Sequence, residues 1–125
     1  MILRIVLCSA TLMCTYAMVQ LEMRYYNMPI DILLNMVTHF LGGLATGLGI
    51  LIGKDMINVL IPNTIPEFPL WAMIFIVLVV GLVWEVFEIV YKSNIFFTLD
   101  TGKDICMDAG GAVLAYWLGR ITTKN

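Results

Sequence analysis

Four long apolar stretches, separated by short polar or proline-bearing segments, constrain what this chain can fold into. They lie at about residues 2–19, 31–53, 70–91 and 101–119. A helix of about 20 apolar residues spans the hydrocarbon core of a bilayer and satisfies its own backbone hydrogen bonds there. The pattern therefore predicts an all-α fold, a single domain over residues 1–125 built as a four-helix transmembrane bundle.

The composition favours a membrane protein over a soluble one. Of the 125 residues 61% are hydrophobic and 13% are charged, and the mean hydropathy is +0.93. An ordinary soluble domain is about 25% charged, and a small one cannot bury so large an apolar surface. The net charge of −2, without a cluster of lysine or arginine, makes nucleic acid an unexpected partner. We expect a multi-pass protein of the cytoplasmic membrane, with membrane lipids and further copies of itself as partners.

The first apolar stretch admits two interpretations. A cleavable signal peptide begins with a basic segment and ends in a small-x-small cleavage site. Here the basic segment is reduced to Arg4, and no such site precedes Glu22. A retained helix is therefore the preferred interpretation.

Small residues recur at four-residue spacing in the second and fourth stretches. Gly43 and Gly47 form a GxxxG pair, and Gly111, Ala115 and Gly119 form a similar stripe. Small side chains at this spacing let two membrane helices approach closely. We expect close packing on these faces.

Acidic residues are concentrated between residues 84 and 114. The three aspartates follow one another at four-residue spacing and share a helix face, and the two glutamates are three residues apart. Carboxylates within membrane segments are costly and usually mark a functional site. The residues are Glu85, Glu88, Asp100, Asp104 and Asp108.

Alternating helix directions bring several of these side chains to one side of the membrane. The start of the second helix, the end of the third and the start of the fourth lie on the same side in an up-and-down bundle. We therefore expect one cluster, formed by His39, Glu85, Glu88, Asp104 and Asp108.

Four carboxylates in a low dielectric cannot all be ionised without a compensating charge. Either some are protonated, or a divalent cation lies among them. Oxygen ligands suit Mg²⁺, Ca²⁺ or Mn²⁺, and an imidazole favours Mn²⁺, Fe²⁺ or Zn²⁺. We predict the whole cluster as metal ligands, with His39, Glu85 and Asp108 as candidate catalytic residues.

Simpler roles compete with these. His39 could form only a hydrogen bond between helices, for example to Glu85, and Asn35 is predicted to form such a packing hydrogen bond. Thr101 and Asp104 have the spacing of a capping box, with Asp100 as a rival N-cap.

The basic residues favour one orientation. Arginine and lysine are commoner in cytoplasmic loops than in outer ones. The side that holds both termini carries four basic residues and the other side carries three, so we expect the site to face outwards. The first group is Arg4, Lys54, Arg120 and Lys124, and the second is Arg24, Lys92 and Lys103.

The order of three motifs resembles that of a known group of small membrane proteins. The motifs are His39-Phe40-x-Gly42, Trp84-Glu85-x-x-Glu88 and Asp100-Thr101-x-x-Asp104-x-x-x-Asp108-x-x-Gly111-Ala112. They resemble the YjdF-like and VanZ-like proteins, and the second motif is closer to the YjdF-like branch. The resemblance implies a helical inner-membrane protein without naming a reaction, although VanZ-like members are linked to glycopeptide tolerance.

A fainter resemblance is to the small prokaryotic diacylglycerol kinases. It comprises Lys103-Asp104 and the segment Gly110-Gly111-Ala112-Val113-Leu114. The kinase pattern E-x-x-N is not met, because Glu88 stands where the asparagine would be.

Three functions are consistent with this sequence. The first is a membrane-embedded site that binds a divalent cation and a polar or phosphate-bearing lipid head group, as in a lipid hydrolase or transferase. The second is a small oligomeric transporter or ion-coupled carrier whose carboxylates exchange protons or ions. The third is a structural or accessory membrane protein without catalysis.

Overall fold

The computed structural model contains four α-helices in an all-α bundle, as the sequence predicts. The helices are α1 (Ile2–Arg24), α2 (Asp31–Leu60), α3 (Leu70–Lys92) and α4 (Leu99–Thr123). The structure describes residues 1–25, 28, 30–62, 64–92 and 99–123, but not the side chains of Asp31, Glu88, Ile89, Tyr91, Lys92, Leu99, Asp100 and Thr123.

Within the described residues, α1, α2 and α3 are long and apolar enough to cross a membrane. The length needed is about 20 residues. Helix α4 has 25 residues but does not meet the same hydropathy criterion. Its first turns carry the acidic residues of the candidate site, which lower its hydropathy.

Two helices extend well beyond the predicted apolar spans. Helix α2 continues through Lys54 and Asp55 to Leu60, because a charged pair does not break a helix. It ends just before Pro62, which has no backbone N–H to donate. Helix α1 continues to Arg24 and buries Glu22 in its last turns.

Helix α4 begins at Leu99, which places Thr101 inside its first turn. The prediction that Thr101 starts a capping box is therefore wrong. The Thr101 hydroxyl instead donates to the Glu85 side chain on α3. The rival cap, Asp100, is also within the helix, with its side chain outside the described part of the structure.

Helices α2 and α4 pack closely through their small residues, as predicted. A Cβ atom built on Gly43 would overlap the backbone of Asp108, and one on Gly111 would overlap the backbone of Phe40 and Leu44. Only glycine allows this approach, which brings the middle of α4 against the middle of α2.

Helix α1 is tied to the bundle at the end opposite the acidic cluster. The Arg4 guanidinium, only 3% exposed, forms an ion pair of 2.5 Å with Asp55 on α2. It also donates to the Gly119 carbonyl at 2.7 Å and to the Thr122 hydroxyl at 2.9 Å on α4. One buried charge is thus paired and hydrogen-bonded, as a buried charge must be.

An apolar core separates the two polar ends of the bundle. Leu48, Met73 and Val77 are fully buried and pack with Ala112 and Ala115. On every helix these residues lie between the Arg4 end and the acidic cluster. The core therefore holds the helices in register beneath the site.

Candidate metal centre

The imidazole of His39 lies at the centre of three carboxylates. His39 comes from α2, Glu85 from α3, and Asp104 and Asp108 from α4. All four residues are buried, with 4–7% of their surface exposed. Three carboxylates therefore surround a group that can carry at most one positive charge.

One ring nitrogen faces Asp108. The Nδ1 atom of His39 lies 3.3 Å from Oδ2 of Asp108. Gly81 on α3 makes room for this carboxylate, because a Cβ atom there would overlap Oδ2 of Asp108. With its proton on Nδ1, the ring donates to Asp108 and leaves the Nε2 lone pair available.

The other ring nitrogen faces two carboxylates without bonding to either. Nε2 of His39 lies 3.6 Å from Oε1 of Glu85 and 3.6 Å from Oδ2 of Asp104. These separations exceed the 2.7–3.2 Å of a hydrogen bond. Among the described residues, the buried Nε2 has no hydrogen-bond partner. A buried polar atom without a hydrogen-bond partner is rare in proteins, and a bound ion or water molecule would satisfy it.

The spacing of these three atoms is slightly wider than that of a coordination shell. Nitrogen and oxygen donors lie roughly 2.0–2.2 Å from Zn²⁺, so neighbouring donors are roughly 3.0–3.6 Å apart. The ligand atoms of His39, Glu85 and Asp104 lie within 4.8 Å of one another. An ion between them would need only a small adjustment of the side chains.

Neighbouring polar groups orient the carboxylates. The Thr101 hydroxyl donates to Oε2 of Glu85 at 3.1 Å. The Asn35 amide lies 3.0 Å from both oxygens of Asp104. In metal sites such partners hold the ligands in place and set their basicity, as Asp108 would do for His39.

The predicted convergence is observed for four of the five cluster residues: His39, Glu85, Asp104 and Asp108. Glu88 lies in α3, and its side chain is outside the described part of the structure. The roles assigned to these residues stay predictions. The geometry separates them, since Asp108 contacts Nδ1 while Glu85 and Asp104 face Nε2.

Two supporting residues were not assigned a role at the site from the sequence. Thr101 was interpreted as part of a helix cap, and no role was predicted for Gly81. The hydrogen bond predicted for Asn35 is confirmed, and it leads to Asp104. Asn35 lies four residues before His39, so the two side chains share a face of α2 beside the cluster.

The site belongs to an all-helical chain in which three of the described helices are able to cross a membrane. Comparisons with models of protein families, with curated proteins and with solved structures find no match. The resemblance to YjdF-like and VanZ-like proteins therefore stays a prediction.

Proposed function

We propose that this protein is a multi-pass protein of the cytoplasmic membrane that binds a divalent cation through His39, Glu85 and Asp104. The observation that carries the proposal is the buried Nε2 of His39, which has no hydrogen-bond partner among the described residues and faces two carboxylates at 3.6 Å. Asp108 is assigned to orient the imidazole rather than to bind the ion. This assignment departs from the sequence-based prediction that Asp108 is a ligand.

The donor set favours an ion of the first transition row. One imidazole and two carboxylates suit Mn²⁺, Fe²⁺ or Zn²⁺ better than Mg²⁺ or Ca²⁺, which prefer oxygen ligands alone. Three protein ligands leave at least one coordination position for an outside oxygen, as in catalytic metal sites.

An oxygen of a polar lipid head group, such as a phosphate, is the ligand that we propose for this position. A bound ion polarises a phosphoryl oxygen or activates a water molecule, which is the chemistry of a lipid hydrolase or transferase. In a membrane, lipid surrounds α1, α2 and α3, so a lipid with a polar head group is always close to the site.

Transport through one chain is the less favoured alternative. Leu48, Met73 and Val77 are fully buried between the site and the Arg4 end of the bundle. Ions could pass only if this core opened or if several copies assembled around a path.

Metal titration of purified protein tests the proposal. After treatment with a chelator, the protein in detergent is titrated with Mn²⁺, Zn²⁺ and Mg²⁺ by calorimetry, and native protein is analysed for metal content. We expect near-stoichiometric binding of Mn²⁺ or Zn²⁺ and weaker binding of Mg²⁺. Loss of binding is expected in Glu85→Gln and Asp104→Asn.

The matched control is Glu67→Gln, because Glu67 is an exposed carboxylate at the far end of the bundle. It removes the same charge and should leave binding unchanged. Absence of metal from native protein, with no binding and no thermal stabilisation by the three ions, would exclude the proposed site. If metal does bind, the loaded protein is assayed for turnover of phosphate-bearing lipid. Turnover that is lost in Glu85→Gln would show that the protein is an enzyme rather than only a binding protein.

A further inference from the structure

A cleft between α1 and α3 reaches His39 and Asp108 of the acidic cluster. Within the described residues no Cα atom of α1 lies within 8 Å of one in α3, and α2 forms the floor between them. The cleft has a volume of about 190 Å³ and extends along α2 from Thr38 to Thr46. Eight residues of helix correspond to about 12 Å, so the cleft is long enough for part of an alkyl chain.

The walls of the cleft are apolar, and its polar end is Asp108. Val19, Val77, Val80 and Trp84 line the sides. These residues lie within the membrane-spanning lengths of α1 and α3. A bilayer surrounds such a cleft with alkyl chains, whereas it offers few other molecules of this shape.

Of the threonines that line the cleft, Thr15 and Thr38 are already engaged with their own helix, and Thr46 lies at the end of the cleft away from Asp108. The Thr15 hydroxyl donates to the Thr11 carbonyl, and the Thr38 hydroxyl donates to the Leu34 carbonyl. Asp108, by contrast, has one oxygen facing Nδ1 of His39, and no hydrogen bond to its other oxygen is seen among the described residues. At the His39 end of the cleft, Asp108 is thus the hydrogen-bond acceptor available to a polar head.

The charge of the cleft selects the kind of head group. None of the described residues that line it is a lysine or an arginine. Its ionisable groups are the Asp108 carboxylate and the His39 imidazole, whose Nδ1 already faces Asp108. A phosphate or carboxylate head would be repelled at this depth, where charges interact strongly. A neutral hydroxyl can donate a hydrogen bond to the carboxylate.

We infer that the cleft between α1 and α3 binds a long-chain lipid alcohol, with its alkyl chain between the two helices and its hydroxyl donating to Asp108. This site lies on the Nδ1 side of His39, away from Glu85 and Asp104. It does not depend on a bound metal ion.

Glycines on α2 supply a matched pair of test variants. Gly42 lines the cleft, and a Cβ atom built on it meets nothing within 4 Å. Gly42→Leu therefore places a side chain in the cleft with no overlap at its Cβ atom. Gly49 also has open space around it and does not line the cleft. It is two turns along the same face, so Gly49→Leu adds the same side chain outside the cleft.

The experiment is photolabelling in lipid nanodiscs with three diazirine probes of one chain length: hexadecanol, hexadecanoic acid and hexadecyl phosphate. Labelled residues are identified by mass spectrometry. We expect hexadecanol to label the cleft walls about tenfold more than either anionic probe, because the carboxylate repels them. Gly42→Leu should abolish this labelling, and Gly49→Leu should retain it.

Asp108→Asn removes the charge and should reduce the preference for the alcohol to near unity. Equal labelling of wild type and Gly42→Leu would overturn the inference, as would equal or stronger labelling by the anionic probes. The labelling is repeated with a chelator present. Labelling that persists with the chelator supports binding of the alcohol in the cleft, even if the metal titration shows no binding. A failed metal titration therefore does not contradict the inference.

Discussion

At the scale of single residues, the site depends on small groups that make room for charged ones. Gly81 is the clearest case, because its missing side chain leaves the space that the Asp108 carboxylate occupies beside His39. The sequence identified the histidine and the acids, since buried charge is rare in such a chain. It could not identify Gly81, because glycine is common in membrane helices for many reasons.

Gly81→Ala should weaken metal binding with little effect on folding. The added Cβ would displace only the carboxylate end of Asp108, so the backbone can stay in place. Loss of a group that orients a metal ligand typically costs about 10–100-fold in affinity. Calorimetric titration with Zn²⁺ and thermal unfolding measure the two effects. Gly49→Ala is the control, since open space surrounds Gly49. Unchanged affinity in Gly81→Ala would show that Asp108 does not orient His39.

At the scale of helices, the α2–α4 contact positions most of the site. His39 and Asn35 come from α2, and Asp104 and Asp108 come from α4. The four-residue spacing of the small residues predicted close packing on these faces without naming the partner helix. The alternating helix directions predicted which ends would lie on one side. The ring nitrogen that each acid faces was not predictable, because it depends on side-chain angles and on small rotations of the helices.

Gly43→Ala and Gly42→Ala should differ sharply although the residues are adjacent. A Cβ atom on Gly43 would overlap the backbone of Asp108, whereas one on Gly42 meets nothing within 4 Å. Gly43→Ala must push α4 away, and we expect a loss of about 1–3 kcal/mol or more in stability. Gly42→Ala should be neutral or slightly stabilising, because alanine favours helix. Thermal unfolding in detergent measures both, and equal stability of the two variants would contradict the close packing.

At the scale of the whole molecule, the two polar ends are built on different principles. At one end a single arginine, Arg4, is paired with a single carboxylate, Asp55. At the other end three carboxylates surround one imidazole, and the apolar core keeps the two clusters apart. The first arrangement resembles a structural tie between α1 and the bundle. The second has the excess of negative charge that a cation site requires.

The side of the membrane that the charge-rich end faces decides which pool of ions and lipids it meets. From the distribution of lysine and arginine we expect the Arg4 end to be cytoplasmic and the His39 end to face outwards. Gly102 and Ile57 are exposed and lie at these opposite ends, Gly102 near the site and Ile57 near the end of α2. A Cβ atom on Gly102 meets nothing within 4 Å, so a cysteine fits there.

Single cysteines at these two positions test the orientation. Gly102→Cys and Ile57→Cys are each made in a background where Cys8 is alanine and Cys14 and Cys106 are serine. Intact cells are treated with a membrane-impermeant maleimide. We expect Gly102→Cys to react in intact cells and Ile57→Cys to react only after lysis, because only the site end reaches the outer surface. The opposite pattern would place the site on the cytoplasmic side, where cellular rather than external metal and lipid pools would supply it.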